Sequence, residues 1–200
     1  MARIRSTHPG QRKDGDMFDL QPLSYGLIMA DPPWLFKNWS KAGTHKNASA
    51  KYQCMDLDDI CAMPVGHLAA KDCLLWLWAT NPMLPEAFKV MHSWGFNYVT
   101  AGSWVKTTGK GKLHFGTGYV LRSANEPFLI GRVGKPLCAK NVRSAFLAPA
   151  REHSRKPEDA FQIAEKLVPN VRRLELFSRQ KRHGWDVWGN EVDKFKAECA

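Results

Sequence analysis

The residues best suited to chemistry in this 200-residue chain stand together as Asp31-Pro32-Pro33-Trp34. A proline fixes φ and carries no N–H, so the Asp31 carboxylate, the Pro32 carbonyl and the Trp34 ring keep a set relation. Two hydrogen-bond acceptors beside a flat aromatic face suit an exocyclic amine on a planar base. In isolation the tetrapeptide would read as a turn followed by a core tryptophan, because short motifs recur by chance. Its neighbours favour function. An apolar run, Tyr25 to Ala30, precedes it and has the length and density of a buried strand. Two prolines cannot continue a central strand, so the chain must leave the sheet at Asp31. In open α/β sheets ligands bind at the strands' carboxyl ends.

A second constellation lies late in the chain. His153-Ser154-Arg155-Lys156-Pro157 places cations at a predicted helix entrance, where backbone N–H groups and the helix dipole favour an anion. Glu175 to Arg179 reads as a strand ending in polar residues, with Gly189-Asn190-Glu191 shortly after. Such ends can serve ribose hydroxyls or an amino-acid head group. Alone, either stretch would pass for a solvated helix start or an ordinary strand end.

These groups need elements to hold them. Cys73–Ala79 is nearly all apolar and predicts a strand buried on both faces, its two tryptophans in the core. A helix is expected over Met83–Trp94, stopped by Gly95, then a strand over Tyr98–Val105. Strand–helix–strand order marks a parallel α/β sheet. Tyr119–Ala124 and Glu126–Val133 read as a pair of strand-like segments. Residues 134–151 carry no periodicity that assigns them. Pro157 opens a further helix, Arg173–Ser178 is a strand, and Glu191–Lys196 is expected to form a final short helix. Two loops interrupt this order. The first, residues 35–55, carries Lys37, Trp39, Lys41 and Lys46, and the second, 106–118, carries Lys110 and Lys112 among glycines. Lysines interleaved with aromatic rings offer phosphate contacts and stacking surfaces together. The second loop is not a Walker A loop, since Lys112 is followed by leucine.

Composition sets bounds. The length suits one domain with a sizeable core, residues 21–196, after a basic lead-in, residues 1–20, expected to be partly disordered. A formal charge of +10 points to a polyanionic partner, nucleic acid before membrane. Five scattered cysteines without a C-x-x-C pair imply neither a disulfide framework nor a zinc site and fit a reducing cytoplasm. The start has no apolar signal segment, and no run approaches transmembrane length.

Together the motifs resemble those of the MT-A70 family of adenine-N6 methyltransferases, from about Tyr25 to Asn190. The specific segments are Met29 to Trp34, the Gly-Thr-Gly and Asn-Glu of residues 116–126, Ser154 to Pro157, Leu174 to Arg179, and Trp185 with Gly189-Asn190. The absence of a Gly-x-Gly cofactor loop and the catalytic motif's place ahead of the cofactor strand are similar to that family's permuted order. The resemblance implies a Rossmann-like, doubly wound α/β methyltransferase sheet, a single domain with basic loop insertions. It also implies S-adenosyl-L-methionine (AdoMet) as cofactor and nucleic acid as substrate, with DNA favoured over RNA and a homo- or heterodimer left open. Asp31 would touch the AdoMet amine and the target base, with Pro32, Pro33 and Trp34 completing the catalytic loop. Lys156 would bind the AdoMet carboxylate, Phe177 would line the pocket, and Arg179, Asn190 and Glu191 would hold the ribose. Glu191 stands where family members often carry an amide. The competing reading is a subunit that keeps the fold and binds nucleic acid without catalysis.

Overall fold

The structure, a computed structural model, describes residues 17–35, 54–118, 120–151 and 155–195. The lead-in up to residue 16 lies outside the described residues, and so do Lys37, Trp39, Lys41 and Lys46. Met17–Asp19 forms a 3-10 turn, with Met17 packed into the core.

Among the described residues, seven strands and three helices follow. They are β1 (Tyr25–Ala30), α1 (Leu57–Ala62), β2 (Ala69–Trp78), α2 (Leu84–Ser93), β3 (Asn97–Thr107), β4 (Asn125–Val133), β5 (Ala145–Pro149), α3 (Glu158–Leu167), β6 (Arg173–Leu176) and β7 (Asp186–Trp188). One sheet takes all seven strands, in the order β5-β3-β4-β2-β1-β6-β7. β1 pairs in parallel with β2 and β6, β6 with β7, and β3 with β5. β4 runs against both its neighbours, β2 and β3. The sheet is therefore mixed where strand–helix–strand order predicts it parallel. β3 does not lie beside β2, because the chain returns from β3 as an antiparallel neighbour and that returning strand fills the gap.

Each central strand is apolar on both sides because helices cover both faces. On one face Ile28, Ala30, Leu75 and Leu77 pack with Ile60 of α1 and Ala87, Val90 and Met91 of α2. On the other, Leu27, Met29, Trp76 and Trp78 pack with Ala160, Phe161 and Ala164 of α3. Trp76 stacks on Phe128 at 3.9 Å between ring centroids. The sheet is doubly wound, and both predicted core tryptophans are buried.

Two expectations fail locally, and one unassigned stretch is filled. Described residues 120–124 are not strand but the return of a loop onto β4. Residues 145–149, unassigned from periodicity, form the edge strand β5, whose alternating exposure carries little apolar signal. Residues 191–195 make turns and not a helix.

Candidate active site

The parallel strands β1, β2, β3, β5 and β6 all end at one edge of the sheet, and antiparallel β4 begins there. That arithmetic of direction gathers residues scattered through the sequence. Asp31 follows β1, Lys106 ends β3, Glu126 opens β4, Lys156 precedes α3, and Phe177 follows β6.

Four of these form a charge chain. Lys156 Nζ lies 2.8 Å from Asp31 Oδ2 and 2.6 Å from Glu126 Oε1, and Lys106 Nζ lies 2.7 Å from Glu126 Oε2. The Lys156 side chain is 7% exposed and that of Asp31 28%. Burial disfavours the Lys156 charge, but the two carboxylates beside it push its pKa up. Burial also works against ionised Glu126, yet Lys156 and Lys106 hold it below its ordinary value. Asp31 moves the other way: burial raises it, and Lys156 only partly opposes the rise. Of the two carboxylates that share Lys156, Asp31 is thus the readier proton acceptor.

The Asp-Pro-Pro-Trp loop is anchored at both ends. Asp31 N–H donates to the Leu176 carbonyl at 3.4 Å, and Trp34 N–H to the Pro32 carbonyl at 2.8 Å. Met55 N–H donates to the Pro33 carbonyl at 3.0 Å, which ties the returning chain to the loop. The Trp34 ring is buried, its indole N–H donating to the Trp78 carbonyl at 3.2 Å. The sequence reading gives this ring to a stacked base; the structure places it in the core, bracing the loop against the end of β2.

A small cleft, with a cavity volume of about 30 Å³, opens beside the charge chain, lined by Asp31, Lys156, Glu175, Phe177 and Arg179 among others. Four residues expected from the motifs thus meet in one cavity. Glu191 stands beside it, 3.5 Å from Arg179. Asn190 is exposed next to Glu191 and does not line the cleft. Lys110 and Lys112 are exposed on the loop after β3. Phe177 has a left-handed φ of +64°, unusual for a bulky residue and costly unless its surroundings impose it. Its ring meets Trp188 edge-on. Gly189 lets β7 close on this turn, since a Cβ there would stand 2.5 Å from the Ser178 carbonyl oxygen.

Several residues of the candidate site escape the sequence reading. Glu126 is visible there only as part of an Asn-Glu pair, and Lys106 only as one loop lysine among others. Glu175 faces the cleft with a pKa pushed up to about 8 by burial, despite the Ser178 hydroxyl 2.9 Å away. Gln180 accepts from Arg155 and donates to Glu158, building the far wall. Hydrophobicity patterns register none of these, because each is polar. Among the described residues no group of His, Cys, Asp and Glu could hold a metal ion.

A doubly wound sheet with one reversed strand and its cleft at the carboxyl edge is the architecture of an α/β methyltransferase domain. The chain belongs to the MT-A70 family, whose profile matches residues 25–191. It is 32% identical over 193 residues to the Type II methyltransferase M.MunI of Mycoplasma sp, covering 87% of this chain and 80% of that one. It is 30% identical over 201 residues to human N(6)-adenine-specific methyltransferase METTL4, covering 90% of this chain and 41% of the relative. The N6-methyladenosine RNA methyltransferase MTA1 of Cryphonectria parasitica is 29% identical over 199 residues, 94% of this chain and 58% of its own.

Proposed function

We propose that the protein transfers a methyl group from AdoMet to N6 of adenine in nucleic acid, with DNA as the preferred polymer. The observation that carries this reading is the Asp31–Lys156 ion pair, set between the Asp-Pro-Pro-Trp loop and the cleft. A zwitterionic amino-acid head answers both partners at once, its ammonium to Asp31 and its carboxylate to Lys156. Phe177 offers the cleft an apolar face, while Arg179 in its lining and Glu191, 3.5 Å from Arg179, offer hydrogen-bonding groups to a ribose. The residues present therefore fit AdoMet.

Bound there, AdoMet supplies an electrophilic methyl group. The protein's task is to make a poor nucleophile attack it. The N6 lone pair is delocalised into the ring, so the amine must be drawn toward a pyramidal state. Asp31 and the Pro32 carbonyl, which keeps a lone pair beyond the one facing Trp34 N–H, accept its two hydrogens. Asp31, raised by burial, takes the proton that the methylated amine sheds. Trp34 holds the loop in place from beneath. Positioning and fixed charge supply the rate, with no covalent enzyme intermediate.

The preference for DNA rests on the small, basic domain and on the near end-to-end match to a Type II methyltransferase. The test is calorimetric titration with AdoMet, followed by incubation with DNA and RNA and mass detection of N6-methyladenine in digests of each. Wild-type protein should bind AdoMet and mark DNA, and Asp31→Asn should mark neither polymer. AdoMet binding without methyl transfer to any nucleic acid would instead establish the non-catalytic binding subunit.

A further inference from the structure

The loop between β3 and β4 is not used by the site described above, although it begins and ends there. Lys106 precedes it and Glu126 follows it, and their ion pair closes its foot directly onto Lys156 and Asp31. The loop is built and not merely slack. Thr107 bridges Leu113, Thr108 N–H donates to the Lys112 carbonyl at 2.7 Å, and Gly116 N–H donates to the Ser123 carbonyl at 2.9 Å. Gly116 and Gly118 permit the close return, since a Cβ at Gly118 would stand 1.9 Å from the Leu121 carbonyl oxygen.

What this protrusion displays is unusual. Phe115 is 78% exposed, Val120 94% and Leu121 83%, where apolar side chains in a soluble fold are normally covered. Arg122 stands with its guanidinium 5.6 Å from the Phe115 ring centroid, and Lys110 and Lys112 are exposed on the same loop. Residues 107–125 contain no aspartate or glutamate. A loop that exposes apolar side chains and whose formal charges are all positive complements a polyanion that also offers an apolar interior.

We propose that this protrusion is a wedge for duplex nucleic acid, with Val120 and Leu121 entering the base stack while Lys110, Lys112 and Arg122 hold the flanking phosphates. The inference rests on the adenine-N6 reading above. A base inside a duplex cannot reach Asp31, so it must be turned out of the stack. Apolar side chains inserted between base steps are a known means of unstacking a duplex. The ion-paired foot fixes the tip relative to the pocket that receives the extruded base.

The experiment compares wild type with the double variant Val120→Ser/Leu121→Ser, both folded by thermal melting, on random-sequence DNA offered as duplex and as separated strands with tritiated AdoMet. The expected result is a duplex-to-single-strand ratio at least tenfold below wild type, with Leu121→Phe closer to wild type than the double variant. An unchanged ratio, or an equal fall on both substrates, overturns the wedge. If wild type labels duplex only, the same DNA carrying 2-aminopurine replaces the ratio. Its fluorescence should then rise with wild type and not with the double variant, and an equal rise with both overturns the wedge. A wild type that is dimeric in solution, with a monomeric double variant, would assign the tip to a second copy of the chain and also overturn it. Should wild type label no nucleic acid at all, the adenine-N6 reading fails, and the wedge with it.

Discussion

Lys156 is the residue whose removal has the most calculable consequence. Its ammonium touches two carboxylates, at 2.8 Å and 2.6 Å, with the side chain 7% exposed. Removing one partner of a buried pair costs about 3–5 kcal/mol, because the remaining charge is stranded. Two features place Lys156→Ala near the lower end. Glu126 keeps Lys106 at 2.7 Å, and Asp31, 28% exposed, can recover some water. A loss of about 3 kcal/mol at neutral pH corresponds to a melting temperature lower by roughly 6–12 °C in a domain of this size. The pH dependence carries the decisive sign. In wild type Glu126 is held below its ordinary value, so its contribution is full at neutral pH and lost as pH falls through the folded value. In the variant both carboxyls lose their main counter-charge, so Asp31, already raised by burial, rises further and Glu126 rises from its depressed value. The folded variant then binds protons that the unfolded chain does not, and its deficit shrinks as pH falls from 7 toward 5. Melts of both proteins at pH 7 and pH 5, followed by circular dichroism, measure this. A deficit equal at the two values would show that packing, not stranded charge, is what Lys156 supplies. Calorimetry adds the cofactor side: loss of a charge-assisted hydrogen bond, about 1.5–3 kcal/mol, should weaken AdoMet roughly tenfold to a hundredfold. A decarboxylated analogue should be weakened much less.

Three further outcomes are expected. Glu175, raised from 4.5 to about 8, keeps a proton in the folded state that the unfolded chain releases, so its contribution declines as pH rises between those values. The slope is about 1.4 kcal/mol per pH unit; Glu175→Gln should flatten it, and an unaltered stability–pH curve would refute a buried protonated acid. Trp34→Phe removes the indole N–H from the Trp78 carbonyl and should cost about 1–3 kcal/mol of stability together with turnover. Lost turnover at unchanged stability would return the ring to the substrate base. Replacing Lys110 and Lys112 by alanine should lower the logarithmic salt dependence of nucleic-acid binding by about 0.7–0.9 for each phosphate no longer neutralised, leaving AdoMet affinity as it was. An unchanged slope in a salt titration would mean that these lysines touch only water.

The legible parts of the fold are those where hydrophobicity and chain breakers agree. β1 ends where Asp31-Pro32-Pro33 says it must, α2 stops before Gly95 with its φ of +83°, and α3 starts at Pro157. What the sequence leaves unread or misread shares a cause. β5 is an edge strand with one buried residue in five, so neither period nor apolar density distinguishes it from loop. The direction of β4 is not encoded in β4 itself. It follows from β3 and β4 being joined at the same sheet edge, a fact about pairing that no local window contains.

For the site, the sequence locates the carboxylate and the lysine but not their relation, and the relation decides the chemistry. Read from sequence, Lys156 is a free cation awaiting a ligand carboxylate. In the structure it already bridges Asp31 and Glu126, and the chain from Asp31 through Lys156 and Glu126 to Lys106 alternates in sign and sums to zero. A lone anion entering at Lys156 would have to displace Asp31 and leave it uncompensated, and a lone cation at Asp31 would strand Lys156 likewise. A zwitterion opens one ion pair and forms two, with the sum still zero. On the proposed reading the buried network would discriminate by charge pattern before any hydrogen bond to a ribose is made, with Glu126, 2.6 Å from Lys156, tethering the lysine against following a single charge.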